Sequence, residues 1–167
     1  MGYHHNWDTK VYSEEEKDEV PNELVDLCKF ISGIIENDWH YEAQAVIINY
    51  YYKGSTLSGH TDHSEPNKTS PIISLSLGQS AVFLIGGRTL EDETTALLIR
   101  SGDIMVMSEE SRLCYHAVPR IVPADDSPWS SGEDYNNHID HLLKNCRINL
   151  NARQVLQLGQ ESLAIKK

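Results

Sequence analysis

Between residues 44 and 152 the chain alternates short apolar runs with Gly, Pro, Asn and Ser turn signals, and the runs have the length of strands rather than helices. The pattern predicts strands near 44–52, 71–77, 80–85, 95–100, 103–107, 112–118 and 146–152. In Ile73-Ser74-Leu75-Ser76-Leu77 serines and leucines alternate as a half-buried strand requires, and Gly78-Gln79 reads as a hairpin turn into Ala81-Val82-Phe83-Leu84. A helical period begins near Pro21 and places Leu24, Val25, Leu27, Cys28, Ile31, Ile34 and Ile35 on one apolar face. A second helix is expected after Ser130, whose spacing to Glu133 makes a capping box, with Tyr135, Ile139, Leu142, Leu143 and Cys146 as its stripe. Regularly spaced strands flanked by few helices predict a mainly β, α+β domain: a double-stranded β-helix, or jelly-roll, of two antiparallel sheets rather than a doubly wound α/β sheet.

Composition narrows the class. With 167 residues, 40% hydrophobic and 23% charged, the chain is one domain's worth and can bury a real core. It has no apolar run of about 18 residues and no charged-then-apolar leader, so the expectation is an intracellular protein with no membrane contact. Cys28, Cys114 and Cys146 are widely spaced without a Cys-x-x-Cys pattern and read as buried thiols in a reducing compartment. The net charge of −11 argues against a phosphate-rich partner, but residues 1–42 hold 3 basic and 11 acidic side chains and so contribute −8 of it. Ser13 to Glu19 reads as a solvated loop or helix end. Lys53, Lys68, Arg88, Arg100, Arg112 and Arg120 could form a phosphate-facing rim.

The chemistry-bearing pattern is His60-Thr61-Asp62, followed 54 residues later by His116 and then by Arg147, Asn149 and Arg153. Two imidazoles and a carboxylate on one face of a metal leave coordination positions open, as non-haem Fe(II) oxygenases require. A keto acid that chelates iron presents a free carboxylate at its far end, which the planar fork of Arg147 can bind in bidentate fashion. Plainer readings stand beside this one. His-x-Asp recurs by chance, and His138-Ile139-Asp140 is a second copy on the expected helix, where His138 and His141 would be solvated. His116 could be a packed histidine beside Tyr115, and two arginines on one strand face could pair with Asp or Glu.

The motifs resemble those of the AlkB family of Fe(II)/2-oxoglutarate dioxygenases. The family's Asn-x-Tyr-x-x-Gly stands as Asn49, Tyr51 and Gly54, eleven residues before His60, and its Arg-x-Asn-x-x-x-Arg as Arg147, Asn149 and Arg153. Ser74 to Gly78, Ser101 to Ile104 and Glu110 to His116 look like family segments in the same order, so the resemblance covers most of residues 44–156. His116 to Arg120 and the opening Gly2 to Asp8 look closest to the eukaryotic AlkB homologue 1 branch.

The resemblance implies a single dioxygenase domain over 1–167, with 1–43 a partial substrate lid and helical support and 44–156 the jelly-roll core. It implies Fe(II) on His60, Asp62 and His116. It implies 2-oxoglutarate as cosubstrate with dioxygen, held by Asn49, Tyr51, Arg147, Asn149 and Arg153, with Arg147 on the distal carboxylate and Arg153 nearer the iron. Tyr3 takes the place of a base-stacking aromatic, with Trp7 and Tyr12 as neighbours, each of which could equally be packing. The relatives' lid extends beyond what these residues supply. Ser64 replaces an acidic residue found in some relatives, so base preference does not carry over. The implied activity is oxidative demethylation of N-methylated bases in tRNA or in single-stranded or flipped DNA, hence tRNA modification or DNA repair. It would occur in a monomer of the nucleus or mitochondrion, with the cytoplasm as the alternative. The competing functions are the same chemistry on methylated histone or other protein side chains, and a non-catalytic jelly-roll binding module.

Overall fold

A computed structural model describes residues 1–35, 40–124 and 137–163. A hairpin of β1 (Tyr3–Asn6) and β2 (Val11–Lys17) leads into helix α1 (Asn22–Ile35). There follow β3 (Ala45–Tyr52), β4 (Leu57–His60), β5 (Ile72–Gly78), β6 (Ser80–Ile85), β7 (Thr95–Ile99) and β8 (Ile104–Met107). A 3-10 turn (Glu109–Leu113), β9 (His116–Val122), helix α2 (Asn137–Asn145) and β10 (Cys146–Arg153) complete the described chain. Two four-stranded antiparallel sheets, β3-β10-β5-β8 and β4-β9-β6-β7, face one another. This is the expected jelly-roll.

Each face of the β3-β10-β5-β8 sheet has its own layer. On the outer face Leu24, Leu27, Cys28 and Ile31 of α1 pack with Val46, Ile73, Leu150 and Ala152. Between the sheets Tyr51, Phe83, Ile99, Met107, Val118 and Ile121 form a second cluster. The packed stripe of α1 is narrower than its apolar sequence. Ile34 and Ile35 are exposed.

Gly78-Gln79 does not close a hairpin. β5 and β6 lie in different sheets, so the turn is a corner that carries the chain from one sheet to the other. Gly78 has φ +79 and sits against the backbone at the end of α2, and a Cβ there would meet the carbonyl oxygens of Cys146 and Leu143, the latter at 3.0 Å. Gly78→Ala is therefore expected to lose about 3 kcal/mol from strained φ and backbone clash together. That corresponds to roughly 10 °C in Tm for a domain of this size, measurable by differential scanning calorimetry.

Other boundaries also moved. Residues 112 and 113, expected to begin a strand, belong to the 3-10 turn instead, because the Ser108 backbone N–H and carbonyl both bond the Ser111 hydroxyl and Arg112 is drawn into the interior. β9 instead starts at His116 and runs through Pro119, which it tolerates because three steps on β9 oppose two on β6 between Leu84 and Val82. Residues 13–17, expected in a solvated loop or helix end, belong to strand β2, whose inward residue is Tyr12. Ser130 and Glu133 lie outside the described residues.

Candidate metal centre and cosubstrate cleft

β10 and β3 build one wall of the cleft between the sheets. Their antiparallel register sets Arg147 opposite Tyr51 and Asn149 opposite Asn49. Strand alternation turns Arg147, Asn149, Asn151 and Arg153 into a cleft of about 410 Å³, while Leu150 and Ala152 face α1. β5 supplies the polar lining. Its serines, not its leucines, face inward, and Ser76 Oγ accepts from Arg147 Nη2 at 2.8 Å while Ser74 Oγ accepts from Asn149 Nδ2 at 2.6 Å.

The second sheet brings the two histidines together. β4 and β9 pair so that His60 lies opposite His116, with ring centroids 4.3 Å apart. Asp62 follows His60 in the loop after β4 and points back: its Oδ1 is 3.9 Å from His60 Nε2 and its Oδ2 is 3.6 Å from His116 Nε2. The three ligand atoms lie within 4.8 Å of one another, the sole such cluster of His, Cys, Asp and Glu among the described residues. In each imidazole Nδ1 is engaged by a backbone carbonyl, Ser58 at 2.9 Å for His60 and Cys114 at 3.2 Å for His116, which leaves Nε2 for the cluster. Phe83 stacks on His116 at 5.7 Å. Burial, outweighing the Asp62 carboxylate, lowers the pKa of His116 and keeps it neutral, the form that ligates.

Arg147 is 3% exposed, and its Nε and Nη1 have no partner within the protein. Burial lowers its pKa, and no carboxylate among the described residues forms an ion pair with it. A buried guanidinium with two unmet donors is expensive unless an anion completes it. Together with a two-nitrogen, one-oxygen donor set, this suits Fe(II) and a dicarboxylate in one cleft.

Arg153 lies in the same cleft, beside Asp62. Its terminal nitrogens donate to Asp62 Oδ1, at 2.8 Å, and to Glu65 Oε1, and its buried Nε has no partner within the protein. It therefore holds the Asp62 carboxylate before any cosubstrate arrives. The aromatic candidates also divide. Tyr3 is 2% exposed among Tyr12, Ala45, Val155 and Leu156, with the Lys17 ammonium 4.1 Å from its ring centroid, so it is packing and not a stacking platform. Tyr12 is 5% exposed and donates to Glu65 at 2.7 Å, a structural role. Trp7, 58% exposed, stands at the cleft mouth beside Lys10.

Arg112 is buried, which removes it from any surface rim. His138 and Asp140 lie on α2, where Asp140 bridges Lys144 at 2.8 Å, apart from the cluster. Sequence reasoning missed Glu65 as part of the site. Its signal was only its place three residues after Asp62, with no periodicity to mark it.

Comparison with known proteins points the same way. A family model for the 2OG-Fe(II) oxygenase superfamily matches residues 1–153. The chain is 37% identical to mouse nucleic acid dioxygenase ALKBH1, over 96% of this chain and 46% of that protein. It is 36% identical to the tRNA demethylase abh1 of Schizosaccharomyces pombe, over 93% of this chain and 51% of that protein. It thus spans about half the length of these relatives. A solved structure of OsALKBH1 superposes with a TM-score of 0.70 at 21% identity, covering 92% of this chain and 75% of that one, which shows the shared fold.

Proposed function

The chain belongs to the 2OG-Fe(II) oxygenase superfamily, and from that premise we propose that it is an Fe(II)- and 2-oxoglutarate-dependent dioxygenase that removes methyl groups from N-methylated bases of tRNA or DNA. The observation that carries this reading is the buried guanidinium of Arg147, whose Nε and Nη1 have no partner within the protein, in the same cleft as His60, Asp62 and His116. The names of the relatives, a nucleic acid dioxygenase and a tRNA demethylase, support the substrate class.

His60, Asp62 and His116 would hold the iron, and Arg147 the distal carboxylate of 2-oxoglutarate, with Tyr51, Asn49 and Asn149 lining its path. When bound, the two supply the oxidising power that hydroxylates an N-methyl carbon with dioxygen, releasing succinate, carbon dioxide and formaldehyde. The protein's own tasks are positional. Arg153 fixes the angle of Asp62, the backbone carbonyls of Ser58 and Cys114 fix the two rings, and Phe83 with Met105 and Met107 keeps that end of the cleft apolar.

A base within a duplex cannot reach this depth, so the substrate is single-stranded, looped or flipped. Trp7 at the mouth offers the stacking surface, and Lys10, with its ammonium 5.2 Å from the Trp7 ring centroid, places a cation where a backbone phosphate would pass. Because Trp7 is exposed, Trp7→Ala should leave the fold intact. It should cut nucleic-acid-dependent succinate formation about 10- to 100-fold, the value of one base stack, with Trp7→Phe retaining most of it and KM for 2-oxoglutarate unmoved.

The deciding experiment measures succinate and formaldehyde from the purified chain with Fe(II), 2-oxoglutarate and air, against methylated tRNA, methylated single-stranded DNA and methylated histone peptides. Stimulation by a nucleic acid with stoichiometric formaldehyde is the expected result. Stimulation by the peptides alone moves the substrate to protein, and no succinate with any of them leaves a binding module.

A further inference from the structure

Glu65 is 1% exposed, and both of its carboxylate oxygens are engaged by charged partners. Its Oε1 accepts from the Tyr12 hydroxyl at 2.7 Å, from Arg153 Nη1 and from Ser64 Oγ at 3.3 Å, and its Oε2 accepts from Arg112 Nη2 at 3.1 Å. Both arginines then reach the same residue from opposite ends. Arg153 Nη2 donates to the Asp62 carboxylate at 2.8 Å, and Arg112 Nη1 donates to the Asp62 backbone carbonyl at 2.6 Å. Arg112 Nε also donates to Ser70 O at 2.9 Å, pinning the other end of the loop after Asp62.

Two guanidiniums and two carboxylates balance within this network, so its four charges can stay buried only as a set. Burial alone would raise the Glu65 carboxyl, but Arg153 and the hydrogen bonds from Tyr12 and Arg153 bring it down to about 2. Tyr12 comes from β2, and Trp7 stands in the turn joining β1 to β2. One carboxylate thus touches the hairpin at the cleft mouth and, through two arginines, both the side chain and the main chain of Asp62.

We infer that Glu65 is a positioning residue for the ligand Asp62, and that Tyr12 latches the β1–β2 hairpin to it, so that the hairpin at the mouth and the carboxylate at the centre are set together. The inference rests on the metal reading proposed above. A merely structural ion network would affect melting without affecting the metal, and this difference makes it testable.

Cobalt(II), which resists oxidation, serves as the probe: its affinity is measured by isothermal titration on the whole chain, and its visible absorption reports the ligand field. Glu65→Gln keeps the shape and removes the charge, and is expected to weaken Co(II) binding about 10- to 100-fold, the usual cost of losing an outer-shell partner, with an altered absorption band. Tyr12→Phe removes one hydroxyl from an otherwise intact network and is expected to weaken it about threefold or more. Should Glu65→Gln fail to fold, Tyr12→Phe decides alone. Co(II) affinity and spectrum equal to wild type in every folded variant, with only the melting temperature lowered, overturn the inference while the metal reading stands. A wild-type chain that binds no Co(II) overturns both.

Discussion

Alanine at His60, Asp62 or His116 is expected to reduce 2-oxoglutarate turnover by about a thousandfold or more, because loss of one ligand forfeits several kcal/mol of metal-derived stabilisation. The three variants should differ in what else they lose. The His60 side chain is 35% exposed, so His60→Ala should melt close to wild type. His116 is buried against Phe83, and its removal opens a small void as well. Asp62→Ala takes away one of the two carboxylates that neutralise Arg153, a buried cation, and should be the least stable, by about 3 kcal/mol. Asp62→Asn keeps the shape and should lie between. Metal content, turnover and calorimetric melting on the same preparations check the pattern. Turnover retained in any of the three would remove the iron assignment, and equal melting in all three would remove the account of Arg153.

How much of this was legible in the residues follows from where the signals are local. The strands of the β3-β10-β5-β8 sheet announced themselves because their apolar or alternating runs are continuous. Ala45 to Tyr52 and Cys146 to Arg153 came out within a residue of the expected bounds. The hairpin β1–β2 and the short β4 gave no such run. β1 and β2 pair with each other and are tied to the sheet beside them by the Gly2–Ala45 bridge and the Tyr3 N–H to Gln44 O bond of 2.9 Å, while β4 owes its extended form to β9, distant in sequence. The same distinction explains Gly78-Gln79, whose local chemistry fits a turn of either kind; only the sheet each strand joins decides between hairpin and corner.

At the site, strand alternation, a local rule, carried Arg147 and Asn149, whereas His60 and Asp62 were legible from their motif alone, since Asp62 lies in the loop after β4. Neither signal could show that Arg153 spends its terminal nitrogens on Asp62 and Glu65, or that Tyr3 is packed away while Trp7 reaches the mouth. Which of several clustered aromatics is covered depends on the whole domain, here on Val155 and Leu156 folding over Tyr3 from the far end of the chain.

Arg147→Lys should raise KM for 2-oxoglutarate about 10- to 100-fold and change kcat far less. The wild-type side chain presents three donor nitrogens. Nη2 donates to Ser76, while Nε and Nη1 are buried with no protein partner, so the planar guanidinium fork keeps unmet donors for a carboxylate. An ammonium retains the charge but replaces this fork with a single point donor. A lost charge-assisted hydrogen bond is worth about 1.5 to 3 kcal/mol, which converts to that range of KM. The interaction is made equally before and during the reaction, since the distal carboxylate is remote from the chemistry, so it should appear in KM and not in kcat. Arg147→Met carries the test further by removing the cation from a site 3% exposed. Its KM should rise beyond that of the lysine variant, whereas its melting temperature should hold or increase without cosubstrate, because an unpaired buried charge has been replaced by an apolar side chain of similar length. A methionine variant that loses cosubstrate binding and gains stability would identify Arg147 as a residue kept for its ligand. One that loses stability as well would show that the protein, and not 2-oxoglutarate, is its partner.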